Sequence, residues 1–297
     1  MSSKLTRLTS LEPKFYMKSK PEDLYLDLMK KTLTFSLWPE PPVPIDTFRY
    51  GGSRLKRLTL WFLSHLSRIL RPTPIQLVKQ RTFTKEQREE GAVWPGYAHS
   101  MIGLKRFDNL QFCVETVIRD GIEGDLIETG VWRGGACIFM RAILAAHGVE
   151  NRKVYVADSF EGLPKPDAER FPADKDDTHH IHDFLKVSQE EVENNFKSFG
   201  LLDNQVVFLK GWFCDTLPKA PMKKLAVLRL DGDMYGSTMD ALKNLYPKLS
   251  KGGFCIIDDY HIARCKKAVD DFRVENGIHA ELKAINLNFA SVYWRKE

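Results

Sequence analysis

The sequence predicts an open, doubly wound α/β sheet with an antiparallel edge hairpin at the C-terminus and a helical extension at the N-terminus. From position 125 onward, short apolar segments alternate with amphipathic segments, as in consecutive βα units. Two short strands at 281–285 and 291–295 flank Asn-Leu-Asn and indicate the closing hairpin. We therefore predict an extension or lid over 1–90 and one α/β domain over 91–297.

Composition indicates an ordinary soluble protein. The chain has 297 residues, 43% of them hydrophobic and 28% charged, with a net charge of +5. The basic residues are concentrated in the first ninety positions, so the α/β domain is closer to neutral. There is neither an aromatic and basic stripe nor a helix-turn-helix signal, and a nucleic-acid partner is therefore not expected.

The five cysteines point to a reducing compartment. Their number is odd, they are scattered, and no Cys-x-x-Cys occurs, which indicates neither a zinc site nor a disulfide framework. Buried free thiols are the expectation. Because there is also no secretory signal and no 18-residue apolar run, we expect a cytoplasmic protein.

The N-terminal extension contains two predicted helices. Residues 1–20 are polar, basic and expected to lack order. A helix is predicted over 22–37, and the prolines at 39–44 end it. A basic amphipathic helix is predicted over 54–71, where Pro72 stops it.

The helix over 54–71 leaves two interpretations open. Basic residues flank an apolar face that includes Trp61, which is a pattern found at membrane surfaces. Packing on the catalytic domain or on a second subunit is the commoner fate of such a face, and we favour it. A homo-oligomer is therefore expected.

The elements of the α/β domain are predicted in strict alternation. A helix over 108–119 leads into the sheet, and a capping box, Ser188 to Glu191, marks the start of a later helix. The strands are predicted at 125–129, 153–158, 205–209, 225–231 and 253–258, and the helices between and after them at 135–147, 188–198, 237–250 and 263–275.

Two acidic segments at predicted strand ends are the most informative feature of the chain. Asp231 and Asp233 follow one apolar strand, and Asp258 and Asp259 follow the next. The carboxyl ends of parallel strands share one edge of a sheet, where ligands bind. Four carboxylates gathered there repel one another unless a hard cation lies among them. The pattern predicts a divalent-metal site, although helix capping by Asp258-Asp259 and a turn role for Asp233 are simpler alternatives.

A third strand end predicts a nucleoside cofactor. Gly130 follows the strand over 125–129, and Gly134 and Gly135 open the next helix, where free N–H groups point outward. Asp158, at the end of the following strand, has the spacing of an acid that binds ribose hydroxyls. The turn is not Gly-x-Gly-x-x-Gly, so a dinucleotide is disfavoured. S-adenosylmethionine fits this combination.

A histidine run lies in the long connection between Asp158 and Ser188. The segment His179-His180-x-His182-Asp183 would suit a second metal or a catalytic histidine. A charged connection of this length is more often a mobile lid, which we favour. Trp132 and Tyr235 could wall the cavity or serve packing, and His261 could touch the substrate.

A series of short motifs extends along most of the chain, roughly over 22–295. They are Trp94-Pro95, His99-Ser100-Met101-Ile102-Gly103-Leu104-Lys105-Arg106, Asp108-Asn109-Leu110-Gln111, Glu128-Thr129-Gly130-Val131-Trp132-Arg133-Gly134-Gly135, Asp158-Ser159-Phe160-Glu161-Gly162-Leu163-Pro164, Gly211-Trp212-Phe213, Asp231-Gly232-Asp233-Met234-Tyr235 and Asp258-Asp259-Tyr260. Together they resemble the macrocin O-methyltransferase family, whose members methylate sugar hydroxyls of antibiotics with S-adenosylmethionine and Mg²⁺. The resemblance implies the class I methyltransferase sheet.

The resemblance also implies roles for individual residues. Asp231, Asp258 and Asp259 would bind the metal ion, and Asp233 would be the catalytic base. The predicted cofactor-binding residues are Met101, Glu128, Thr129, Gly130, Val131, Gly134, Gly135, Asp158, Ser159 and Asp231.

The predicted function is O-methylation of a vicinal diol that is chelated to Mg²⁺, with a glycosylated small molecule as acceptor. A metal ion lowers the pKa of a bound hydroxyl and a carboxylate removes its proton, while the sulfonium is already activated. A catechol-like phenol would chelate the metal equally well, and a non-catalytic scaffold of the same fold is a third possibility. The gathered acids argue against the scaffold, and the acceptor itself is left open.

Overall fold

A computed structural model describes residues 20–45, 53–70, 72–286 and 290–297, apart from the side chain of Lys56. Its described residues form a three-layer α/β domain around a seven-stranded mixed sheet, with a helical N-terminal extension. Most of the predicted unstructured segment (1–19) and Arg71 of the predicted second helix lie outside the described residues. Among the described helices, none combines the length and apolar content needed to traverse a bilayer.

The strands are bounded as follows: β1 Val43–Pro44, β2 Val78–Lys79, β3 Asp125–Thr129, β4 Val154–Asp158, β5 Val206–Lys210, β6 Leu225–Leu230, β7 Leu249–Ile257, β8 Lys283–Ala284 and β9 Val292–Arg295. The α-helices are α1 Pro21–Leu33, α2 Arg54–Leu70, α3 Lys85–Glu90, α4 Gly103–Arg119, α5 Gly135–Ala146, α6 Gln189–Ser198, α7 Phe213–Thr216, α8 Tyr235–Leu245 and α9 Ala263–Glu275.

The main sheet has the order β5-β4-β3-β6-β7-β9-β8, which confirms the predicted fold class. The first five of these strands are parallel, while β9 pairs antiparallel with both β7 and β8. From β3 the chain moves outward through β4 and β5, then returns to build β6 and β7 on the other side. The gap between β3 and β6 is therefore the topological switch point, where ligands bind in open α/β sheets.

Apolar side chains on both faces of the sheet explain why its strands are continuous hydrophobic runs. All six residues of β6 are buried, as expected when helices cover both faces. One core joins the sheet to α1, α4, α5 and α6, and the other joins it to α8 and α9. The carboxyl edge of the central strands is thereby held in a fixed frame.

The N-terminal extension departs from prediction in its boundaries. Helix α1 ends at Leu33 rather than at position 37, before the prolines, because Phe35 adopts a left-handed φ of 55°. Helix α2 confirms the second predicted helix up to Leu70. The short β1–β2 pair and helix α3 were not predicted.

Several boundaries in the α/β domain also differ: helix α4 begins at Gly103 rather than at 108, and β7 begins at Leu249 rather than at 253. The helix predicted over 237–250 begins at Tyr235 and ends at Leu245, after which a 3₁₀ turn containing Pro247 leads into β7 at Leu249. Proline lacks the N–H that an α-helix would require at that point. Of the predicted strand 281–285, only Lys283–Ala284 pairs with β9.

Candidate active site

The turns after β3, β6 and β7 lie side by side because the strand hydrogen bonding continues into them. The Gly130 N–H donates to the Ala157 carbonyl, the Asp231 N–H to the Thr129 carbonyl, and the Asp258 N–H to the Leu230 carbonyl, each at 2.9 Å. The residues that follow these strands are thus brought to one edge at the switch point. This is the convergence that the sequence predicted.

A cavity of about 1050 Å³ opens over this edge. Its walls come from all three strand-end turns, from residues 90–106, and from the connection between β4 and α6. The lining includes Met101, Glu128, Gly130, Val131, Asp158, Ser159, Asp231, Asp233, Asp258 and Asp259 among the predicted site residues. Its volume is at the upper end of the range for small-molecule sites.

The predicted metal ligands form a compact cluster. Asp231, Asp258 and Asp259 each place a carboxylate oxygen within 4.8 Å of the others. Neither Asp258 nor Asp259 caps helix α9. The N-cap residue of this helix is Ile262, and among the described residues no side-chain hydrogen bond caps it. Asp259 instead accepts a hydrogen bond at 3.2 Å from the backbone N–H of Asp233. The capping alternative is therefore wrong.

Burial and mutual repulsion raise the pKa values of Asp231, Asp233 and Asp259. Burial is the main cause of the raised pKa of Asp231 and of Asp259, and neighbouring carboxylates add to it. Burial, followed by the charges of Asp231 and Asp177, raises the pKa of Asp233 to about 7. Without a cation, the cluster is costly to ionise fully.

Two arginines that the sequence analysis missed partly neutralise the cluster. Arg229, on β6, has a side chain that is 1% exposed and donates to Glu128, to Asp258 and, at 2.9 Å, to Asp231. Arg106 donates to the second oxygen of Asp258. A charged residue inside an otherwise apolar strand requires a buried partner, and this signal could have identified Arg229.

The charges that remain fit a divalent cation. Four carboxylates, those of Glu128, Asp231, Asp258 and Asp259, face the two guanidinium groups, so two negative charges are left when all are ionised. Each carboxylate oxygen has two lone pairs, so Asp258 can accept from an arginine and still offer a ligand atom. Oxygen ligands from carboxylates are those that Mg²⁺ prefers. Among the described residues, the histidines at 179–182 belong to no metal-ligand cluster.

The glycine turn after β3 is shaped by its contact with the turn after β6, which carries Asp231. Gly130 has a φ of 84°, and a Cβ there would lie 1.6 Å from the carbonyl oxygen of Asp231. Any side chain at this position would force the two turns apart. The requirement for glycine thus comes from the neighbouring backbone.

Three predicted cofactor residues lie behind the cavity wall. Thr129 is buried, and its hydroxyl has no hydrogen-bond partner among the residues that the structure describes. A Cβ on Gly134 would meet the side chain of Val192 at 2.7 Å, and one on Gly135 would meet the His99 carbonyl at 2.5 Å. These glycines let α6 and the segment before α4 pack closely against the start of α5. The need for glycine at both positions therefore comes from residues that are distant in the sequence.

The acid at the end of β4 is engaged with the glycine turn. Asp158 accepts hydrogen bonds from the backbone N–H of Val131 at 2.7 Å and of Phe160 at 2.8 Å. Burial raises the pKa of this carboxyl. The Ser159 hydroxyl donates to the Gly162 carbonyl at 2.7 Å. Asp158 therefore holds the two turns together, and it faces the cavity as well.

The connection between β4 and α6 is pinned over the site. It forms three 3₁₀ turns, Pro172–Asp174, His179–Ile181 and Asp183–Leu185. Asp174 accepts from the backbone N–H groups of Tyr235 at 2.7 Å and of Gly236 at 2.9 Å, which caps α8. Asp177 accepts from Arg264 at the start of α9.

Aromatic side chains supply much of the apolar wall. Of the candidates named from the sequence, Trp132 and His261 line the cavity, whereas the Tyr235 hydroxyl turns away and donates to Asp271 at 2.9 Å. Further aromatic walls were not predicted: they are Trp94, Phe171, Trp212 and Phe213. Their positions depend on connections whose paths the sequence pattern does not define.

Comparison with known sequences identifies a family. The profile described as macrocin O-methyltransferase (TylF) matches residues 22–296. The chain is 49% identical over 274 residues to 8-demethyl-8-(2,3-dimethoxy-alpha-L-rhamnosyl)-tetracenomycin-C 4'-O-methyltransferase of Streptomyces olivaceus, covering 92% of each chain. It is 51% identical to mycinamicin III 3''-O-methyltransferase of Micromonospora griseorubida, covering 92% of this chain and 96% of the relative. It is 46% identical to demethyldecarbamoylnovobiocin O-methyltransferase of Streptomyces niveus, covering 92% and 93%.

Solved structures support the same relationship. The O-methyltransferase NovP superposes with a TM-score of 0.77 at 45% identity, covering 93% of this chain and 99% of that one. The calicheamicin methyltransferase CalS11 superposes with a TM-score of 0.51 at 19% identity, covering 85% and 96%, and this likeness concerns the fold alone.

Proposed function

The chain belongs to the macrocin O-methyltransferase family, and from that premise we propose that it methylates a sugar hydroxyl of an antibiotic or a related glycoside. The proposed methyl donor is S-adenosylmethionine, the proposed metal ion is Mg²⁺, and the proposed base is Asp233. One observation supports this assignment above all. The carboxylate cluster, Asp233 and the glycine turn at Gly130 line the same cavity.

We propose that Asp231, Asp258 and Asp259 hold the metal ion. When bound, Mg²⁺ would chelate two adjacent hydroxyls of the acceptor and lower the pKa of the one that reacts. The buried guanidinium groups of Arg229 and Arg106 fix the Asp258 carboxylate in place through both of its oxygens. A ligand held in this way loses little conformational freedom when the cation binds.

Asp233 is suited to take the proton of the acceptor. It has a left-handed φ of 55°, and its N–H bond to Asp259 holds the turn against the metal site. Non-glycine residues in such conformations are concentrated at functional sites. A carboxylate next to the cluster, but outside the ligand trio, can receive the proton while the hydroxyl oxygen attacks.

The cofactor site is proposed along β3, β4 and the segment before α4. Gly130, Val131 and Glu128 would line the methionine side, and Asp158, Ser159 and Met101 would line the adenosyl side. Thr129, Gly134 and Gly135 would act by shaping that wall from behind. When bound, S-adenosylmethionine supplies a methyl group on a sulfonium that departs as a neutral thioether, so position provides much of the remaining acceleration.

The curated relatives suggest the acceptors for a direct test. Their names specify sugar-bearing tetracenomycin, mycinamicin and novobiocin precursors. We would incubate the purified chain with each precursor, S-adenosylmethionine and Mg²⁺, alongside a simple catechol, and detect a mass gain of one methyl group. Methylation of a sugar acceptor supports the proposal, while methylation of the catechol alone contradicts the sugar assignment. The absence of S-adenosylmethionine binding by calorimetry would favour a non-catalytic scaffold.

We also propose that the protein is a homo-oligomer assembled through α2. Leu58, Phe62 and Ile69 are among the apolar residues on its exposed face, and each is more than 60% exposed. A contiguous apolar face of this kind marks an interaction site. Light scattering of the wild type and of a Leu58→Asp, Phe62→Asp double variant tests this proposal. A monomeric wild type overturns it, and sedimentation of the wild type with anionic liposomes would support the membrane alternative.

The four buried free thiols, Cys113, Cys137, Cys255 and Cys265, accord with a cytoplasmic location.

A further inference from the structure

A histidine–aspartate pair lies on the cavity wall beside the proposed base. Asp177 is fully buried, and it accepts hydrogen bonds from the ring Nδ1 of His179 at 2.7 Å and from the His179 backbone N–H at 2.8 Å. It also accepts from Arg264. Three donors therefore converge on one buried carboxylate, and His179 is held by both its backbone and its ring.

The position of this pair follows from two acidic anchors in the connection between β4 and α6. Asp174 caps α8, which begins two residues after Asp233, and Asp177 accepts from Arg264 in α9, the helix that follows Asp258 and Asp259. Through these two contacts, the segment 174–179 lies across the ends of β6 and β7, which supply the acidic cluster. His179 and Asp233 line the same cavity.

The hydrogen bond to Asp177 also determines which ring nitrogen of His179 is available to bind a ligand. A carboxylate can only accept, so the Nδ1 that bonds to Asp177 carries the proton. With the proton on Nδ1, the Nε2 atom can act as an acceptor, and within the described parts of the chain it has no protein partner. The side chain is 34% exposed and lines the cavity. An aromatic row continues along the rim, with His182, Phe184 and Trp94 in successive ring contact.

We propose that His179 is an acceptor-binding residue whose Nε2 accepts a hydrogen bond from a sugar hydroxyl other than the one that is methylated. Asp177 and Arg264 are its positioning residues. The inference rests on the proposed function, because it names the part of the chain that orients the sugar in that site. A hydrogen bond of this kind selects acceptors that present a free hydroxyl at the correct place, since a bound sugar that lacks this hydroxyl would exclude water from Nε2 without replacing its hydrogen bond.

The test compares steady-state constants for His179→Gln, His179→Ala and Asp177→Asn with those of the wild type. His180→Gln is the matched control, since His180 is the neighbouring histidine and does not line the cavity. We expect the KM for the glycosylated acceptor to rise about 10-fold in the His179 variants. The KM for S-adenosylmethionine and the dissociation constant for Mg²⁺, measured by calorimetry, should stay within about twofold of the wild-type values.

A second measurement separates hydrogen bonding from a merely structural effect. In a series of deoxy acceptors, each lacking one hydroxyl, one member should have nearly the same KM with the wild type and with His179→Gln. An unchanged acceptor KM in both His179 variants, or an equal loss with every deoxy acceptor, overturns the inference while the proposed function stands. If the wild type methylates no sugar acceptor, the proposed function fails and this inference fails with it.

Discussion

Arg229 and Asp258 form a buried ion pair across neighbouring strands, and the pair joins the two halves of the site. The same guanidinium that holds Asp258 also holds Glu128 at the end of β3. Both side chains of the pair are at most 5% exposed. The proposed metal site and the proposed cofactor site thus share one buried cation, which explains why an arginine interrupts the apolar run of β6.

Removal of this arginine is expected to destabilise the fold. Arg229→Met leaves Glu128 and Asp258 buried without their main countercharge, which typically costs about 3–5 kcal/mol. We expect the free energy of unfolding in urea to fall by that amount. Arg119→Met is the control, because that side chain is 68% exposed, and its effect should stay within about 0.5 kcal/mol. Equal stabilities of the two variants would contradict a central role for the Arg229 network.

Substitution of the proposed base should separate chemistry from metal binding. Asp233→Asn keeps the size of the side chain but cannot take a proton, so kcat should fall about 10²–10⁴-fold. Calorimetry should detect Mg²⁺ binding close to that of the wild type. In the control, Asp183→Asn, a side chain that is 91% exposed is changed, and kcat should be retained. Full turnover by Asp233→Asn would remove it from the mechanism.

The contact between the glycine turn and the turn that carries Asp231 predicts that position 130 tolerates no side chain. Gly130→Ala brings a Cβ within 1.6 Å of the Asp231 carbonyl oxygen, so one turn must move. We expect loss of soluble protein or a drop in melting temperature that exceeds that of Gly148→Ala. Gly148 has a similar φ of 62° but open space around it, and its cost should be about 1 kcal/mol. Similar melting temperatures would show that the turns are not in contact.

The raised pKa values predict a stability that depends on pH when no metal ion is bound. The folded chain keeps protons on Asp231, Asp233 and Asp259 at pH values where the unfolded chain, with pKa values near 4, has lost them. Stability therefore falls as the pH rises from about 4 through about 7, the pKa of Asp233.

This pH dependence is measured by melting curves in EDTA and in Mg²⁺. In EDTA the melting temperature should decline between pH 5 and pH 8, while saturating Mg²⁺ should raise it most at the alkaline end, because the cation replaces the protons. A melting temperature in EDTA that rises over this interval would contradict the buried acidic cluster.

The sequence pattern was sufficient for the sheet and for the convergence of the acids, because both follow from local periodicity and from the common edge of parallel strands. Asp231, Asp258 and Asp259 lie together as predicted. What the pattern could not predict depends on contacts between distant positions. The packing of Gly134 against Val192 and the bond from His179 to Asp177 are of this kind.

The most direct test of the account is turnover with and without a divalent ion. The purified chain would be treated with EDTA, freed of the chelator by gel filtration, and assayed with S-adenosylmethionine and a glycosylated acceptor before and after Mg²⁺ is added. We predict that methylation by the wild type disappears on chelation and returns when Mg²⁺ is added. In the double variant Asp258→Asn, Asp259→Asn, added Mg²⁺ should restore no methylation. Methylation that persists in the metal-free wild type would contradict the claim that these carboxylates act by holding a cation.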